Sequence, residues 1–67
     1  MIIWNATPEG YLECFIGDVY GVIGLSHRQG WAARIHCLCG TETAPALYHT
    51  AYEAKAWIEA RVHDRCN

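Results

Sequence analysis

The chain predicts an α+β fold: a three-stranded antiparallel meander with one C-terminal helix packed on one face, in the order βββα. Two observations carry most of this. Residues 11–16, 19–25 and 31–39 alternate with a period of two, as extended strands do. Residues 50–64 instead open on Thr50-Ala51-Tyr52-Glu53 and continue with the strong helix formers Ala54, Ala56 and Ala60. A third observation joins the strands, because short polar or Gly-containing breaks separate the alternating runs.

Met1 to Ala6 reads as a further short N-terminal strand or as an extended arm, with Ile3 or Trp4 as its anchor. Thr7-Pro8-Glu9-Gly10 is a turn, since Pro fixes φ and Gly frees it. In the first long strand, Leu12, Cys14 and Ile16 share one face and Tyr11, Glu13 and Phe15 the other. Gly17-Asp18 suits a two-residue hairpin turn with Gly first, which pairs Ile16 with Val19 and fixes the register. Val19, Gly21, Ile23 and Leu25 then fall on the core face, with Tyr20, Val22 and Gly24 opposite.

Ser26-His27-Arg28-Gln29-Gly30 is the second hairpin loop, and Trp31 to Cys39 is the central strand. Its face of Trp31, Ala33, Ile35, Cys37 and Cys39 is an apolar stripe that belongs in the core; Ala32, Arg34, His36 and Leu38 share the other face. Gly40-Thr41-Glu42-Thr43-Ala44-Pro45 breaks the pattern and reads as a loop, and Ala46 to His49 as an extended approach to the helix. Thr50 and Glu53 form a capping box. Ala51, Ala54, Ile58 and Val62, flanked by Trp57 and Arg61, make the stripe facing the sheet, with Tyr52, Lys55, Glu59 and His63 toward solvent.

Size sets the limits of this plan. Sixty-seven residues make one domain, spanning 1–67, near the lower limit for independent folding. Three Trp, four Tyr and one Phe supply the large side chains a small core needs. A hydrophobic fraction of 52% argues against a disordered tail. No apolar run approaches the roughly 18 residues of a membrane span, and Met1 to Trp4 lacks the form of a signal peptide. The expected setting is the cytoplasm of a host cell, without membrane partners, and the four cysteines are read there as free, mostly buried thiols.

Function follows from the face one helix leaves uncovered. It should hold Tyr11, Glu13, Phe15, Tyr20, Val22, Ala32, Arg34, His36 and Leu38, a contiguous and largely apolar set that marks a binding surface unless the arm or a second copy covers it. Tyr11, Phe15, Tyr20, Arg34 and His36 are the expected contact residues, the cation beside aromatic rings suiting an interface. Cys37-x-Cys39 and His63-x-x-Cys66 could be drawn as a zinc set, but the spacing does not match a finger or ribbon and the cysteines sit in the core stripe. No metal or other cofactor is expected. Nor is catalysis: adjacent His36 and Cys37 point to opposite faces, and one thin sheet-plus-helix layer leaves little depth for a pocket.

Gly21-Val22, Gly30-Trp31-Ala32-Ala33-Arg34-Ile35 and Tyr48-His49-Thr50-Ala51-Tyr52-Glu53-Ala54 together resemble the AP2-type and integrase-arm DNA-binding domains, over about residues 20 to 60. The resemblance implies three strands and a helix, and a DNA groove gripped from the open sheet face; the matching positions offer Arg34, His36 and Arg28. In style alone, the chain is similar to small phage-encoded inhibitors of host proteins, anti-CRISPR proteins among them. Two functional expectations result. One is a non-enzymatic protein, encoded by a phage or mobile element, that binds and blocks a host protein, such as a CRISPR-Cas defence component, through its open face. The other is a DNA-binding accessory module using Arg28, Arg34 and Lys55, which the net charge of −2 disfavours. A homodimer that packs its open faces together is a third.

Overall fold

A computed structural model describes residues 2–27, 29–38 and 40–66, the last two by backbone alone. The elements are β1 (Asn5–Ala6), β2 (Leu12–Ile16), β3 (Val19–Ser26), β4 (Gly30–Cys37), β5 (Gly40–Thr43) and α1 (Ala51–Cys66). The fold is α+β, as expected, but the antiparallel sheet has five strands in sequential order, β1-β2-β3-β4-β5. The three long strands are the anticipated ones, and the two extra strands are short edges.

The β2–β3 hairpin follows the sequence reading. Ile16 pairs with Val19, and Gly17 alone of the two turn residues has positive φ, at 58°, as a Gly-first turn requires. Between β3 and β4, Gln29 rather than Gly30 takes the left-handed conformation, at φ 64°, and its N–H donates to the Ser26 carbonyl at 3.1 Å. Gly30 is instead a buried strand residue, where an added Cβ would stand 2.5 Å from Leu47 Cβ.

Residues 40–45 are not simply a loop. Gly40–Thr43 pairs with β4, placing Ile35 opposite Glu42 and Arg34 opposite Thr43. The edging continues, with Trp31 and Tyr48 exchanging both backbone hydrogen bonds at 2.7 and 3.0 Å. Glu42 thus stands on the core side of an edge strand, and Arg61 of α1 pairs with its carboxylate there. Burial of an ion pair is tolerable at this half-exposed rim, where water still reaches both groups.

The core lies between α1 and one face of the sheet. Cys14, Ile23, Ala33, Ile35, Ala54, Ile58 and Val62 are buried, and Leu12, Ile16, Val19, Trp31, Tyr48, Ala51 and Trp57 pack around them. This is the anticipated stripe, shortened at both ends. Leu25 is on the core side by alternation, yet it is 65% exposed at the end of β3, where helical cover has run out. Cys37 is half-buried, with its thiol directed to the Gly40 carbonyl at 3.4 Å, and Cys39 lies outside the described residues.

Both flanks of the helix are tied down. On one, the Trp4 indole N–H donates to Glu59 Oε2 at 3.3 Å and Lys55 Nζ lies 5.8 Å from the Trp4 ring centre. On the other, Arg61 lies 6.0 Å from the Trp57 ring while it holds Glu42. Trp4, not the exposed Ile3, anchors the N-terminal arm, and it does so on the helix side. Lys55 is accordingly half-buried rather than solvated. No helix is long and apolar enough to cross a membrane among the described residues.

Candidate functional site

The arm runs to the helix side, so the opposite face of the sheet is left without cover from the rest of the described chain. Register arranges that face as a grid. One row sets Gly24 beside Ala32, with the ring of Tyr11, the residue before β2, over Gly24; the next row reads Glu13, Val22, Arg34 and the third Phe15, Tyr20, His36. β1 and β5 extend the middle row, with Asn5 beside Glu13 and Thr43 beside Arg34, and Thr41 extends the third. All five anticipated contact residues therefore stand on one surface.

The third row is a run of rings. Phe15 and Tyr20 have centroids 4.9 Å apart and tilted by 45°, and Tyr20 and His36 follow at 5.7 Å and 36°. Tilted and offset pairs of this kind are the favoured arrangement of aromatic quadrupoles. The row is fixed at its far end by His36 Nδ1 and Thr41 Oγ1, 3.1 Å apart, and toward the middle row by Tyr20, whose hydroxyl donates to Glu13 Oε1 at 2.9 Å. Burial, reinforced by the Glu13 carboxylate, pushes the Tyr20 phenol above its ordinary value. Phe15 at the outer end is 68% exposed. A large apolar ring left in water, against a neighbour already fixed in place, is a ready contact surface.

The first row is different. Gly24 and Ala32 leave an open depression of about 430 Å³, bounded by Tyr11, Val22, Arg34 and Thr43. Tyr11 lies over Gly24, where an added Cβ would come within 2.4 Å of the ring, yet the side chain remains 47% exposed. Its backbone is fixed below, because the Tyr11 N–H donates to Thr7 Oγ1 at 3.0 Å. Arg34 is exposed on the opposite wall, with Glu13 and Val22 in its row. The face thus offers a ring, a small-residue floor, a cation and an acid at fixed spacing.

The residues drawn together for DNA are not brought to one surface. Arg34 is on the open face, Lys55 is over Trp4 on the helix side, and Arg28 lies outside the described residues. Cys14 is buried under the helix, on the other side of the sheet from His36. Of the drawn zinc ligands, Cys39 and the side chain of Cys66 lie outside the described residues; no group of three or more His, Cys, Asp or Glu is placed to hold a metal ion among the described ones. Thr41, Thr43 and Asn5 are additions the sequence reading lacked, because their strands have no apolar alternation to find. No protein-family model, curated protein or solved structure matches the chain.

Proposed function

We propose that this protein is a non-enzymatic interaction module that engages another protein through its open sheet face, with Tyr11, Phe15, Tyr20, Arg34 and His36 as contacts. One observation carries the reading: Trp4 takes the N-terminal arm to the helix side, leaving a prearranged aromatic row on the uncovered face, with Phe15 exposed and Tyr20 and His36 half-buried. An exposed apolar patch that the fold could have covered marks an interaction site better than a scattered one does. Ordering Tyr20 and His36 before binding also lowers the entropy that association must overcome. A host protein whose working surface is blocked, as in the defence-directed version of this reading, is one partner such a face would take. A second copy is another.

Paired substitutions test the surface. Tyr20→Ala with Arg34→Ala should weaken capture of the partner by roughly tenfold or more, as loss of aromatic and Arg anchors does elsewhere. Tyr52→Ala, on an exposed helix position away from this face, should leave capture unchanged. Capture that survives the double substitution, or falls equally with Tyr52→Ala, would overturn the reading. Electrophoretic mobility of a random duplex at low salt, unchanged by the protein, is the matching result for DNA.

A further inference from the structure

Resting on that reading, we infer that the partner of the open face is a second copy of this chain, seated face to face about a two-fold axis that runs along β3. The grid itself carries the argument. Such an axis exchanges the β2 and β4 columns and leaves β3 on itself. Tyr11 then meets the partner's Ala32, Glu13 meets the partner's Arg34 and Phe15 meets the partner's His36. Each pairing complements, a large ring over a small residue, an acid against a base, an aromatic ring against an imidazole.

The middle row extends the match. It reads Asn5, Glu13, Val22, Arg34, Thr43, so rotation about Val22 sets Asn5 against the partner's Thr43 at the polar rim. Val22 meets its own copy at the centre, where an isologous interface needs a residue content to face itself. The part of the depression beside Ala32 receives the Tyr11 ring of the other copy once that half-exposed ring swings off the Gly24 it covers in its own chain. Two sheets packed face to face stand about 10 Å apart with strands near alignment, a spacing that interdigitated side chains of these sizes fill.

Charge selects this axis over its alternative. A two-fold lying across the strands would exchange the first and third rows and map the middle row on itself. Glu13 would then face the partner's Glu13, and Arg34 the partner's Arg34. Like charges brought opposite each other are unfavourable, and two such pairs would be desolvated together. Only the axis along β3 turns both into opposite-charge contacts.

Size sets the expected strength. Three columns spaced about 4.8 Å by five residues rising about 3.4 Å each make a small patch, below the roughly 800 Å² per partner of a stable interface even with its rim. The dimer should therefore be weak and be lost on dilution.

Sedimentation equilibrium across a concentration series on the full chain tests it. Wild type should pass from monomer to dimer, and Glu13→Arg and Arg34→Glu should each weaken association at least tenfold. An equimolar mixture of the two variants should recover dimer, because every 13–34 contact across the axis is then again acid against base. Thermal unfolding confirms that each variant folds. A wild type that stays monomeric to about a millimolar, variants that associate as well as wild type, or a mixture that fails to recover, would overturn the second copy. A monomer whose capture of a different protein still depends on Tyr20 and Arg34 would assign the face to a heterologous partner, so the broader reading fails only in the Tyr52-controlled comparison.

Discussion

The Tyr20 hydroxyl donates to Glu13 Oε1 at 2.9 Å along a diagonal of the sheet, since Tyr20 sits directly opposite Phe15 and Glu13 opposite Val22. Diagonal neighbours on a sheet are within reach only of long side chains. The bond joins the aromatic row to the charged row and orients both before any partner arrives. It also makes ionisation of the phenol costly.

That cost is measurable. Burial first, then the bond to Glu13 and its charge, hold the Tyr20 phenol above the ordinary tyrosine value. Below that value both folded and unfolded chains carry the proton, and the stability is intact. Above it the unfolded chain releases the proton before the folded one does, so stability falls as pH rises toward the folded value. Tyrosinate absorbance should show a late-titrating phenol, and Tyr20→Phe should remove that late step. Glu13→Gln should bring it only part of the way down, because burial remains. A late step that persists in Tyr20→Phe would assign it to another residue.

Two glycines in β3 should respond oppositely to a methyl group. A Cβ at Gly21 would stand 2.8 Å from Ile58 Cγ2 and 3.0 Å from Cys14 Sγ, both inside the core. Overpacking there costs about 1–3 kcal/mol, which outweighs the roughly 0.5–1 kcal/mol gained by removing a strand glycine. At Gly24 the crowding atom belongs to Tyr11, whose half-exposed ring has solvent to swing into. Gly21→Ala should therefore lower Tm by several degrees, while Gly24→Ala leaves it nearly unchanged or slightly raised. Equal losses would mean that the Tyr11 ring is held as firmly as Ile58.

What the sequence made legible divides along the same lines. Alternation located β2, β3 and β4 because each carries a repeating stripe of apolar or small residues at every second position, and Gly17-Asp18 set the register of β2 on β3. β5 was hidden because Gly40–Thr43 contains no apolar residue, and its one core-side group, Glu42, is made tolerable by Arg61, 19 residues away. The open face was legible as a set of residues but not as an uncovered surface. That depends on Trp4 finding Glu59, 55 residues further along, and no local pattern encodes such a contact. Leu25 shows the converse, a correct face assigned to a position that the helix does not reach.

The helix cap uses both capping-box residues, Thr50 and Glu53, but closes one residue early. Thr50 Oγ1 accepts the Glu53 N–H at 3.2 Å, as expected, but the Glu53 carboxylate accepts from the His49 N–H at 3.1 Å, one residue before the Thr50 N–H of a standard box. Thr50→Ala should cost about 1 kcal/mol by leaving the Glu53 N–H without its side-chain acceptor. Glu53→Gln should cost less, because the amide oxygen still accepts from His49 and only the charge at the helix start is lost. Urea unfolding of the two variants gives the order directly. A larger loss for Glu53→Gln would make the charge, rather than the bond geometry, the main stabilising element.

Cys14 provides an internal reporter of core opening. It is 1% exposed, between Gly21 and Ile58, and burial raises its thiol above the ordinary value, with the Glu59 charge adding to the effect and a backbone hydrogen bond at Gly21 opposing it. Thiolate is the reactive form, so a neutral buried thiol labels only when the core opens. Mass-resolved labelling should find Cys37, which is half-buried, modified well before Cys14. Ile58→Val removes one buried methyl group at a cost of about 1 kcal/mol, so where reclosing outpaces labelling the Cys14 rate should rise roughly fivefold. The same raised value gives a pH dependence of definite sign. The unfolded thiol ionises first as pH climbs past its ordinary range, so stability declines there, and Cys14→Ala should flatten that part of the profile. Cys14 labelling as fast as Cys37 in the native protein would place the opening outside the core and make Ile58→Val silent.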